Sequence, residues 1–197
     1  NEGMARIGKW IRLLRKWGVQ DAVMVGGVGK TVMHDPFGIV RMMPDVKSLL
    51  LWYRRLRYDR RDATVLAAIA DELQLSGVTL IDSTTHISEQ LAGNGTLGTI
   101  EPSSKQHADI AFGWPLLTKT AALHIGQSIA VRDGDVIAVE AIEGTQALID
   151  RAGSLCKKNG WTLLKTAALD HDMRADVPSI GTKTIEQVSV AGCRCIA

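Results

Sequence analysis

Five ionisable residues crowd into seven positions of the stretch "LDHDMRADVPSIG": Asp170, His171, Asp172, Arg174 and Asp176. Asp172 and Asp176 stand four apart with Arg174 between them, and Pro178 stiffens the way out. Hard divalent cations such as Mg²⁺ take carboxylate oxygens and keep several waters, so acids converging from separate loops are the expected form of such a site. Arg174 adds a planar fork suited to phosphate. The alternative is a solvated turn with internal ion pairs, and His171 by itself reads as a loop residue rather than a ligand.

A second group lies in "VIAVEAIEGT". Its alternation sets Val139 and Ala141 in one register and leaves Glu140 and Glu143 at a strand's end, beside Gly144 and Thr145. Ligands of α/β domains bind at the C-terminal edges of strands. Glu143 equally suits the start of the next helix, whose positive end it would complement, and that start offers N–H groups to a phosphate. Third, "YDRRD" sets Asp59 and Asp62 among Arg60 and Arg61, with Asp62 either a helix cap or part of a site. "GGVGK" at 26–30 lacks the first Gly of a nucleotide-triphosphate loop, because residue 25 is Val. Trp10 and Trp17, in the basic run "GKWIRLLRKWG", are read as packing residues rather than a nucleic-acid platform.

The elements that must position these groups follow from periodicity. "MARIGKWIRLLRKWG" aligns Ile7, Ile11 and Leu14 on one helical face and ends at Gly18, ahead of a strand "DAVMVGG". "KSLLLWYRRLRYDRRD" reads as a helix, and so does "DATVLAAIADELQLSG", from an N-cap at Asp62 to Gly77. "VTLID" is the next strand. "ADIAFGWPLLTKTAALHIG" should be a helix bent or broken at Pro115. "SIAVRDGDVIAVEAI" is a hairpin around Asp-Gly. A helix capped by Thr145 and closed by Gly160, a strand "WTLLKTAAL", a helix "TKTIEQVSVAG" and a strand "CRCIA" complete the chain. "GNGTLGTIEPSS" has no periodicity and reads as a linker. The expectation is therefore two α/β domains: residues 1–93, a linker over 94–104, and a catalytic domain over 105–197 with a mixed sheet and flanking helices.

At 197 residues, 46% of them hydrophobic, the chain can build real cores. Its charge is uneven: residues 1–61 hold 13 Lys/Arg against 5 Asp/Glu, a net +8, and the remainder carries −6. That asymmetry suits an anionic partner such as phosphate, nucleic acid or a membrane surface. Cys156, Cys193 and Cys195 lack paired zinc spacing and fit a reducing compartment. No apolar run is long enough to span a bilayer. The start at Asn1 and the stop at "CRCIA" suggest residues beyond both ends.

Taken together, "GVQDAVMVGGV", "RRDATVLAAIADEL", "ADIAFG", "IGQSIAVRDGDVIAVEAIEGT" and "LLKTAALDHDMRADVPSIGTKTIEQVSVAG" resemble, in order and spacing, the LpxI-type UDP-2,3-diacylglucosamine pyrophosphatases of lipid A biosynthesis. The resemblance implies a Rossmann-like N-terminal domain whose first part precedes Asn1. It also implies Mg²⁺-dependent hydrolysis of the diphosphate of an acylated UDP-sugar to UMP and lipid X. Asp176 matches the catalytic carboxylate of the family's R-x-D-x-P motif. With it, Asp172, Glu140 and Glu143 are expected around Mg²⁺, Arg174 and Lys165 on phosphate, and Gly144, Thr145, Arg61 and Asp62 on substrate, in a site between the domains. A cytoplasmic location follows, with "KSLLLWYRRLRY" suited to an acyl groove or the inner-membrane surface; a homodimer is an option and nucleic acid is not expected. The chain departs from the family pattern at His124, Gln146, Ala168, Leu169 and Ala175. Those departures keep two alternatives open: a hydrolase of another nucleotide-linked sugar, and a non-catalytic binder of a nucleotide or acylated sugar phosphate.

Overall fold

Helix α1 (Ile7–Lys16) buries Ile7 and Ile11 and packs Trp10 and Leu14 against them, the face expected from the spacing. In the computed structural model, which describes residues 5–25, 43–58, 62–167, 174 and 177–197, it opens the first of two compact units. Gly18, at φ +66, ends the helix: its N–H reaches the Arg15 carbonyl and that of Val19 the Leu14 carbonyl, at 3.1 and 3.0 Å. Trp17 is not a packing residue. It lies beyond the last helical residue and is 67% exposed.

Strand β1 (Asp21–Ala22) pairs in parallel with β2 (Thr79–Leu80), so the ladder covers two residues of each longer run predicted as a strand. Between them come α2 (Val46–Leu51), which continues as a π-helical turn over Trp52–Leu56, and α3 (Asp62–Gln74). Val65, Ala68, Ile69 and Leu73 of α3 meet Ile7, Ile11, Leu51, Val78 and Leu80 in one core. At about 1.5–3 kcal/mol for each large apolar side chain fully buried, this core holds the unit together.

The starts of α1 and α2 are tied through one carboxylate. Asp45 caps α2 by accepting from the Ser48 N–H and hydroxyl (2.9 and 2.8 Å), and its other oxygen accepts from the Lys9 N–H at 2.9 Å. Burial pushes its pKa up, but the hydrogen bonds from Ser48, Lys9 and Gly8 outweigh it and hold the carboxyl below its usual range. A depressed pKa means that this stability is complete above the unfolded value near 3.8 and is lost as pH falls through the lower folded value. Asp45→Ala should therefore cost about 1–2 kcal/mol at neutral pH and much less at the acid end of that window, as urea midpoints measured at both pH values would show.

The second unit starts at Ala92. Residues 91–101 are exposed and form neither helix nor strand. Ser103 and Gln106 then form a reciprocal capping box for α4 (Ser104–Ala122). Of the two outcomes expected at Pro115, a break does not occur: α4 continues through the proline as one helix. The proline removes the donor to the Ala111 carbonyl, but that turn is exposed and solvent can replace it.

Strands β3 (Ser128–Arg132), β4 (Asp135–Val139), β5 (Trp161–Lys165) and β6 (Cys193–Ile196) form a sheet in the order β4-β3-β5-β6. The first two pairings are antiparallel and β5–β6 is parallel, so the sheet is mixed as expected. Asp133 and Gly134, both at positive φ, make the β3–β4 turn that Asp-Gly predicts. Alternate side chains serve opposite faces. Ile129, Val131 and Leu164 meet Leu117 of α4, whereas Ala130, Ala138, Trp161 and Leu163 meet Leu148, Ile149 and Ala152 of α5 (Gly144–Leu155) and Val188 of α6 (Thr182–Val190). Helices thus cover both faces, which explains why β3 and β5 are buried almost throughout.

Both ends of α5 differ from the reading of the sequence. Thr145 does not cap α5: the cap position falls to Glu143, without a side-chain capping bond, and Gly144 turns at φ +84. Gly160 does not close that helix, which stops at Leu155; Asn159 and Gly160, both at positive φ, turn the chain into β5. Cys193 is buried, which pushes its thiol up to about 11 and keeps it protonated at neutral pH. All three thiols are free.

Candidate functional site

One end of the sheet in the second unit gathers polar side chains where β4 and β5 finish and β3 begins. Ser128 stands opposite Lys165 in the β3–β5 register, and the Glu140 N–H donates to the Ser128 carbonyl at 2.9 Å. Gly126 packs directly on the backbone of Glu140, where a Cβ would collide with the Glu140 carbonyl oxygen, so no other residue fits there without moving the end of β4.

Three of the predicted residues meet in a hydrogen-bonded chain. The Lys165 ammonium donates to Thr145 Oγ1 at 3.2 Å, and that hydroxyl donates to Glu140 Oε2 at 3.1 Å. Ser128 Oγ, on a fully buried residue, lies 3.4 Å from Thr145 Oγ1. Since the threonine's single proton goes to the carboxylate, Ser128 is the donor in that pair. Lys165 also donates to the Ser179 carbonyl at 3.2 Å. An ammonium has three protons, and among the described residues two of them have acceptors, leaving one for an anion. Gly144 and Thr145 open α5, whose first turn carries backbone N–H groups and the positive end of the helix dipole.

Glu143 is placed differently. Its Oε1 lies 3.0 Å from Arg151 Nη2, which donates its hydrogen bond to the Val139 carbonyl at 2.6 Å. Arg151 therefore balances the charge of Glu143 while Oε1, a buried oxygen, accepts no hydrogen bond. Spare acceptor capacity on a carboxylate suits a hard cation. Among the described residues no group of three or more His, Cys, Asp or Glu is close enough to hold a metal ion.

Asp172, Asp176 and Arg61 lie outside the described residues, as does the side chain of Asp62, whose backbone starts α3. Ala168, Leu169 and Ala175 do so too. Arg174 is exposed. Of the two described departures, His124 is exposed at φ +54, and Gln146 is exposed on α5, its carbonyl accepting from Gln187 of α6 at 3.0 Å. Periodicity misses Ser128, Ser179, Gly126 and Arg151. Arg151 alone leaves a trace, because it follows Glu143 by eight residues, about two helical turns, and so returns to the same face.

With this geometry in view, the relatives of the chain can be set beside it. The UDP-2,3-diacylglucosamine pyrophosphatase LpxI of Caulobacter vibrioides is 27% identical over 198 residues, covering 96% of this chain and 69% of that protein. Residues 2–90 match the family model described as LpxI N-terminal domain, and residues 93–197 match that described as LpxI C-terminal domain. The two matches take in nearly the whole chain, which belongs to the LpxI family.

Proposed function

We propose that this protein hydrolyses the diphosphate of UDP-2,3-diacylglucosamine with Mg²⁺, yielding UMP and lipid X in lipid A biosynthesis. Its family is one of diphosphate hydrolases, and the Caulobacter relative carries that activity in its name. The observation that carries the reading is the Lys165–Thr145–Glu140 chain at the start of α5, with an ammonium proton to spare. A diphosphate brings charge that must be neutralised, and a fixed cation beside a helix N-terminus supplies this without reorganisation.

In this mechanism Lys165 and the first turn of α5 hold phosphate oxygens, and Arg174 clamps the diphosphate from its own loop. Glu140 fixes the Thr145 hydroxyl and thereby the direction of Lys165. Glu140, Glu143 and Asp176 would hold Mg²⁺, which when bound neutralises charge on the diphosphate. Asp176 orients the attacking water and takes its proton.

The test is UMP release from UDP-2,3-diacylglucosamine by the full-length protein, with Mg²⁺ and then with EDTA. Release that stops with EDTA and returns with added Mg²⁺ is expected; metal-independent release would remove Mg²⁺ from the mechanism. Lys165→Met should lower release about 10- to 100-fold, the worth of one hydrogen bond to a charged group, with thermal stability retained. The departures at His124 and Gln146 motivate one further reading, a hydrolase of another UDP-linked sugar. Turnover of non-acylated UDP-sugars exceeding that of the acylated one would favour it.

A further inference from the structure

We infer that the outward face of α2 and the turn after it is a docking surface for an anionic phospholipid bilayer. The inner face of this segment is accounted for: Ser48 and Leu51 are buried, and Leu56 packs on the core of the first unit. What remains is a stripe at helical spacing, Val46, Leu49, Leu50, Tyr53, Arg54, Arg57 and Tyr58, every member exposed. Its five apolar and aromatic members are between 45% and 81% exposed, a continuous patch rather than scattered side chains.

Charge decides which partner fits. Residues 46–58 contain no carboxylate. Two flanking cations are engaged by α3, Lys47 with Glu72 at 3.0 Å and Arg55 with Asp71. Arg54 and Arg57, the cations within the stripe, have no carboxylate partner among the described residues. The Arg57 guanidinium instead stacks on Tyr53 and Tyr58, 4.5 and 4.2 Å from the ring centres.

Leucines flanked by tyrosine and arginine are the make-up of a helix lying in a membrane interface: aliphatic side chains enter the acyl boundary, phenol rings sit at headgroup depth and guanidinium groups reach phosphate. A second copy of the chain fits less well. A two-fold interface on this stripe would bring together two copies of a segment that holds four Lys/Arg and no carboxylate, so its cations would find no opposite charge across the seam. Docking of this face on a bilayer is independent of the hydrolysis proposed above.

Flotation of the full-length protein with vesicles tests this without reading any chemistry. With phosphatidylethanolamine–phosphatidylglycerol vesicles the protein should float at low salt and be released as salt rises, and with phosphatidylcholine vesicles it should stay in solution. The pairs Leu49→Ser/Leu50→Ser and Arg54→Gln/Arg57→Gln should each weaken partitioning roughly tenfold while the thermal melt keeps its midpoint. The second pair leaves the apolar stripe intact, so the proposal stays testable if the first disturbs folding. Failure to float with anionic vesicles would overturn it, as would flotation that neither pair reduces. A wild-type dimer that Leu49→Ser/Leu50→Ser converts to monomer would also overturn it, by making the stripe a self-association surface.

Discussion

Asp176→Asn is expected to lower kcat for UMP release about 10²- to 10⁴-fold, the range for removal of a general base, with little change in KM. The asparagine keeps the size and one acceptor of the side chain but can neither take a proton nor carry charge, so folding should be spared and chemistry should not. The split between kcat and KM identifies the role. A group that acts on water in the transition state is lost from kcat, whereas one that only holds substrate is lost from KM. If Asp176 also contributes to Mg²⁺, the metal concentration needed for half-maximal release should rise in the variant. Full activity in Asp176→Asn would pass the base role to another acid, with Asp172 the first to test.

Trp161→Ala should destabilise the protein by about 3–5 kcal/mol and lower the melting temperature by about 10 °C or more. The indole is fully buried among Leu148, Ile149, Leu163 and Val188, and its Nε1 donates to the Ala191 carbonyl at 3.0 Å. Truncation leaves a cavity against side chains from two helices and removes the donor to that carbonyl. Trp161→Phe fills most of the cavity and should recover more than half of the loss. Because Trp161 begins the strand that ends at Lys165, a loosened β5 should also cost activity below the midpoint of the melt. A loss under about 1 kcal/mol would show that the two helices close over the gap.

The same network explains why the hydroxyl of Thr145 is unavailable for capping. Thr145 looks like a helix cap in sequence because a hydroxyl beside a helix start has a default partner in the backbone. Here the carboxylate of Glu140 and the ammonium of Lys165 compete for it. A neighbour twenty residues away in the chain has no signature in local periodicity.

What the sequence determines by itself is local or repeated many times over. The helical face of Ile7, Ile11 and Leu14 with its stop at Gly18, the Asp-Gly turn between β3 and β4, and the apolar runs of β3 and β5 are all written in spacings of a few residues. The family likewise shows in motifs spread over the whole length. Only the tertiary structure decides that Pro115 sits inside an unbroken helix, at a turn where Ala111, Phe112, Trp114 and Pro115 are exposed. It alone sets Ser128 opposite Lys165, and leaves Trp17 and the outer stripe of α2 uncovered. Each of these depends on which residues arrive from elsewhere to satisfy a charge, a donor or an apolar surface, and partners at long sequence separation are chosen by packing of whole elements rather than by their neighbours in the chain.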